Sequence, residues 1–99
     1  MYLVAGHFKC TEAGRARAVE LMDQIVAIGR GESGIRQYTF YPNPDSENAF
    51  FLFEVWDSKE AHDVHFESEA MQQLVPEFMG LLEEAPDVSY FEANLVSKL

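Results

Sequence analysis

Apolar residues along this chain follow two spacings in turn. Short, nearly continuous apolar runs suit strands, and the stretches between them repeat at helical spacing. Tyr2 to Phe8 reads as a strand, with β-formers at Tyr2, Val4 and Phe8. Successive strand side chains alternate, so Leu3, Ala5 and His7 share one face and Val4, Gly6 and Phe8 the other. Thr11 is the expected cap of a helix reaching about Arg30. Ala18, Leu21, Met22, Ile25 and Ile28 fall on one stripe of it, with Arg17, Glu20, Asp23 and Gln24 facing water. Gly29, Gly31 and Gly34 are expected to end it.

A second strand, Ile35 to Tyr41, follows, then a Pro- and Asn-rich turn over Pro42 to Ser46. The third strand, Asn48 to Trp56, is the densest apolar stretch of the chain. Phe50-Phe51-Leu52-Phe53 and Val55-Trp56 surround a single acid, Glu54, and the lack of alternation predicts burial on both faces. The short turn before it predicts an antiparallel hairpin. Asp57 with Glu60 resembles a capping box opening a helix from Ser58 to Phe66. After a break near Ser68, a second helical piece reaches about Glu84, with Met71, Leu74, Val75, Phe78, Leu81 and Leu82 inward. Pro76 predicts a kink or restart there, and Pro86 a stop. Val88 to Val96 completes the pattern as a last strand.

This order is βαββαβ, an α+β, ferredoxin-like arrangement of one domain over residues 1–99. Right-handed crossovers place both helical layers on one face of a four-stranded antiparallel sheet. The third strand nevertheless offers Phe51, Phe53 and Val55 to one face and Phe50, Leu52 and Trp56 to the other. An uncovered apolar face calls for a partner, and a second copy of the chain is the simplest one, so a homodimer through the sheet faces is expected. The tail from Asn94 to Leu99 could lengthen the last strand toward that copy.

Charge narrows the function classes. The formal net charge is −10. Residues 1–50 hold six acids and five bases, whereas residues 51–99 hold eleven acids and two bases. Phosphate backbones and anionic membranes both need clustered Lys and Arg, so neither is an expected partner. No run approaches a membrane span, and the first residues lack the features of a signal peptide. Cys10 is the lone cysteine, so no internal disulfide is expected and the cytoplasm is the default compartment. Glycine-rich phosphate loops, paired metal cysteines and a Ser-His-Asp pattern are absent.

The segment Phe51-Leu52-Phe53-Glu54-Val55-Trp56, then Asp57-Ser58-Lys59-Glu60-Ala61, then His65 nine residues past Trp56, resembles the antibiotic biosynthesis monooxygenase (ABM) domain. The likeness extends over essentially the whole chain. It implies a dimeric α+β barrel with a pocket between helices and sheet in each subunit. It also implies small oxygenases that convert phenols or hydroquinones to quinones with neither metal nor flavin. A haem-degrading branch of similar length uses Asn, Trp and His where this chain has His7, His65 and Val75, which argues against haem degradation.

By this resemblance His65 is the candidate base, able to exchange a proton near neutral pH. A structural helix histidine is the alternative. His7 is a candidate assistant if its strand face meets the helices. Trp56 would wall the pocket or seal the core. Tyr38, Phe78 and Met71 are candidate substrate contacts among the aromatic strands and the methionine-bearing helix. His62, His65 and Glu69 have spacing suggestive of metal ligands, but no metal is expected and His62 reads as a surface residue. Glu54 is expected to pair with Arg36 on the neighbouring strand. The leading expectation is a cofactor-independent monooxygenase acting on a small phenolic aromatic and O2. A non-catalytic small-molecule-binding or stress-response dimer and an isomerase-like metabolite enzyme are the alternatives.

Overall fold

The computed structural model describes residues 1–99. In chain order its elements are β1 (Tyr2–Lys9), α1 (Arg15–Arg30), β2 (Ile35–Asn43), β3 (Ser46–Trp56), α2 (Lys59–Phe66), α3 (Glu69–Met79) and β4 (Asp87–Glu92). The strands form one antiparallel sheet in the order β2-β3-β1-β4, so the architecture is ferredoxin-like α+β. The core lies between the helices and one sheet face. Tyr2, Val4 and Phe8 from β1 and Phe50, Leu52 and Trp56 from β3 meet Ala18, Leu21, Met22 and Ile25 from α1 there. Leu3 and Ala5 of β1, with Phe51, Phe53 and Val55 of β3, stand half-buried on the other face. The hydrophobic pattern thus anticipates the elements and which residues share a face in β1 and β3, but not which face of β1 the helices cover.

Helix starts differ from the expectation in a consistent way. Thr11 does not open α1. Its Oγ1 accepts the Gly14 N–H at 3.0 Å, shaping a turn, and the helix begins at Arg15. Asp57 does not cap α2 either. Ser58 does, its Oγ accepting the Ala61 N–H at 3.2 Å, while Asp57 accepts from Arg36 Nε at 2.5 Å. A hydroxyl one residue closer to the helix matches the three-residue reach of a cap, which frees the carboxylate for the arginine. Ser68 caps α3 in the same manner, accepting the Met71 N–H at 3.3 Å.

Other boundaries also move. α3 runs through Pro76 and stops at Met79, well before Pro86, so Leu81 and Leu82 follow the helix. Pro76 supplies no N–H to the preceding turn, and the helix nevertheless continues through it for three more residues. The last strand ends at Glu92, and residues 94–99 add no pairing within the chain. The β2–β3 turn is tighter than expected, with Asp45 N–H bonded to the Asn43 side-chain oxygen at 2.8 Å. Gly34 (φ +84°) leads into β2 in a conformation that disfavours a side chain. A Cβ there would also come within 2.7 Å of Ala61 in α2.

One irregularity shapes the site. β2 and β3 pair Ile35 with Trp56 but Gln37 with Val55, so Arg36 sits in a bulge. The extra residue shifts the alternation of β2 by one. Tyr38 is thereby placed opposite Glu54, on the covered face, and Arg36 is exposed.

Candidate active site

A cavity of about 380 Å³ lies between the sheet and the helices. That is within the ~300–1,000 Å³ of small-molecule sites. The sheet forms its floor in rows. One row crosses the strands as Tyr38, Glu54, Val4 and Tyr90, and the next as Phe40, Leu52, Gly6 and Val88. α2 contributes His62, His65 and Phe66, and α3 contributes Met71, Val75, Phe78 and Met79. Ile25 of α1 closes one side.

Polar groups enter this mostly apolar space at few points. Glu54 is 4% exposed. Its Oε1 accepts the Trp56 indole N–H at 2.8 Å. Burial pushes its carboxyl up to about 7, against the Trp56 indole N–H, which favours the charged form. The expected ion pair with Arg36 does not form, because the bulge turns Arg36 outward to Asp57.

His65 is held at both ring nitrogens. Nδ1 meets the Glu32 carboxylate and Nε2 lies 3.2 Å from the Tyr38 hydroxyl. A carboxylate only accepts, so Nδ1 carries the proton and Nε2 accepts from Tyr38. Burial lowers the His65 pKa, and Glu32 opposes that only in part. Burial, with Glu54 beside it, pushes the Tyr38 phenol well above its ordinary range. Gly29 in α1 lets the Tyr38 ring lie this close, since a Cβ there would come within 2.5 Å of it.

Of the residues proposed from sequence, His65, Tyr38, Met71 and Phe78 therefore line one cavity. Trp56 does not wall it. The indole is fully buried beneath, 5.1 Å from the His65 ring between centroids, and reaches the site through Glu54. His7 is not near His65. It lies exposed on the opposite sheet face, its ring 5.0 Å from Phe51, because that face of β1 does not meet the helices. His62 is not a surface residue but 6% exposed. It lies one helical turn from His65, so a helix face that buries one buries both. His62 packs against Tyr2 and Tyr90 at 5.2 and 5.6 Å, and its Nδ1 is 3.0 Å from Asp63. Glu69 opens α3 on the solvent side, and no three His, Cys, Asp or Glu converge as metal ligands.

Sequence reasoning gave Glu54 the wrong partner. The signal for its real position was already there: an acid among apolar residues on the Leu52 and Trp56 face. Cys10 is buried, as a small apolar residue would be.

Residues 1–77 match the family model described as antibiotic biosynthesis monooxygenase. An uncharacterized protein of Synechocystis sp. is 30% identical over 86 residues, covering 87% of this chain. The chain spans only about half of that relative, 54% of its length. A candidate antibiotic biosynthesis monooxygenase from Deinococcus radiodurans superposes with a TM-score of 0.90 at 19% identity, covering 100% of this chain and 98% of that one. A mutant of a cofactor-independent oxygenase from Streptomyces nogalater gives 0.83 at 15% identity, covering 96% and 94%. At these identities the two structures speak for the fold.

Proposed function

This chain belongs to the antibiotic biosynthesis monooxygenase family, and from that premise we propose that it is a monooxygenase-type enzyme acting on a small phenolic or hydroquinone-like aromatic. The supporting observation is the apolar cavity floored by aromatic and aliphatic side chains, with a buried carboxyl and a His–Tyr pair at one end. A planar ring suits the apolar part, and its hydroxyl suits the polar end. Deprotonation makes the ring electron-rich enough to pass an electron to O2, so no cofactor is invoked. Overall, a phenol and O2 yield a quinone and water, which balances without a further reductant. The structurally similar oxygenase from Streptomyces nogalater is cofactor-independent.

His65 is part of this machinery as an orienter, since both its nitrogens are already engaged. Trp56 supports it from beneath. Oxygen consumption with dihydroxynaphthalenes and benzenediols, after chelator treatment and without flavin, tests the reading. Turnover lost in His65→Ala with the fold intact is the expected result. Thermal stabilisation by the same compounds without turnover would instead favour a binding protein.

The uncovered sheet face carries Leu3, Ala5, Phe51, Phe53, Val55 and Phe91. A second copy of the chain packed there would bury it, and the assembly we propose is a homodimer through these faces.

A further inference from the structure

We propose that Glu54 is the acid–base group of the cavity, and that Tyr38, His65 and Glu32 form the path by which its proton exchanges with solvent. The proposal rests on the monooxygenase reading for its substrate and on geometry for its residues. Glu54 faces the cavity from the floor. No lysine or arginine lines the cavity, so no cation neutralises the carboxylate there. Tyr38 stands opposite it in the strand register and hydrogen-bonds to His65. His65 in turn bonds to Glu32. Glu32 lines a second, polar cleft with Ser33, Gly34, Asp57 and Glu60. The chain of groups thus links an apolar interior to a surface groove, and each member can both give and take a proton.

Besides these, the titratable groups facing Glu54 are Tyr90 on β4 and His62 on α2, while α1 and α3 present only apolar side chains to the cavity. The buried carboxyl titrates near about 7, so both of its forms are populated at neutral pH.

In the proton step, the substrate O–H bond breaks and its proton joins a Glu54 carboxylate oxygen. The electron pair stays on the phenolate oxygen. When oxygen has been reduced, Glu54 returns that proton to the departing water, so the cycle consumes none. Exchange with solvent sets the resting charge. Protonated Glu54 gives its proton to Tyr38, the Tyr38 hydrogen passes to His65 Nε2, and the Nδ1 hydrogen passes to Glu32. His65 changes tautomer in that passage, and the reverse passage restores it.

The test joins NMR to kinetics. In protein labelled with ¹³C at glutamate carboxyls, one signal should titrate near about 7 and vanish in Glu54→Gln. That variant keeps an oxygen for the Trp56 indole, so the fold should survive. Its turnover should fall about 100-fold or more, with KM little changed and the acid limb of the pH profile gone. Tyr38→Phe and His65→Gln should slow proton exchange at the Glu54 signal and split it into two lines. A Glu54 titration in the ordinary carboxylate range, or a Glu54→Gln enzyme with an unchanged pH profile, overturns the acid–base role. Unchanged exchange in both relay variants overturns the path. Absence of oxygen uptake by wild type refutes the monooxygenase reading alone, because the titration and exchange results still decide this one.

Discussion

The two faces of the sheet use the same strands for opposite purposes. On the covered face, each buried polar side-chain atom has a hydrogen-bond partner, and a carboxyl, a phenol and an imidazole are held in a row among apolar residues. On the open face, Phe51, Phe53 and Val55 have no layer over them within the chain. Alternation along β3 supplies both sets, one residue apart. A strand that reads as uniformly apolar thus lines a cavity with a buried carboxyl on one side and leaves a half-buried apolar face on the other. Glu54 marks which side is which.

Removing the support of the covered face should have the largest effect. Trp56 is 0% exposed. Trp56→Ala opens a cavity and takes away the Glu54 hydrogen bond, so a loss of about 3–5 kcal/mol is expected in urea unfolding. The polar row should next reveal itself in the pH dependence of stability. Folded Glu54 keeps its proton up to about 7, whereas an ordinary carboxyl releases it near 4.5. The native state therefore binds more protons in that window, and stability falls as pH rises through it. The full fall is about 3 kcal/mol in order of magnitude. His65 works the other way. Its lowered pKa means the unfolded chain binds more protons below about 6.5, so stability falls on acidification from there. The two windows overlap below neutrality, so denaturation midpoints of wild type from pH 4 to 8 should show their difference, and the single variants should separate them. Glu54→Gln should abolish the fall between about 4.5 and 7 and leave the loss on acidification below about 6.5, and His65→Gln should do the reverse.

The open face should respond in assembly rather than in folding. Phe53→Lys is expected to shift sedimentation from dimer to monomer, while the monomer's own stability changes by about 0.5 kcal/mol or less. Equal sedimentation of the two proteins would sink the proposed interface. Smallest of all, Arg36→Ala should leave the melting temperature within error, because its pair with Asp57 is more than half exposed on both sides. A large effect there would mean that the bulge, and with it the placement of Tyr38, depends on that pair.

Much of the fold was legible because burial imposes a period. Ala18, Leu21, Met22 and Ile25 share one helical stripe, and Phe50, Leu52 and Trp56 one strand face, whatever they touch. Caps were harder. Thr11 and Asp57 were each a residue or more from the true helix start, since several neighbouring oxygens compete to reach the same free N–H groups. The site was legible in part. His65, Tyr38, Met71 and Phe78 do meet, but both faces of β1 carry apolar residues, so alternation alone does not say that His7 lies on the uncovered one.

By itself, the sequence determined the order of elements, which residues share a face in β1 and β3, and the family. These depend on local spacing and on apolar burial, which any compact state of the chain must satisfy. Only the tertiary structure decided that His62 is buried, that Trp56 sits beneath the cavity, and that Glu54 faces Tyr38 instead of Arg36. The last turns on a one-residue bulge at Arg36, which reverses the alternation of β2 at that point. A bulge has no composition of its own here. It arises from how two strands settle against each other, and that settlement put the phenol beside the carboxyl.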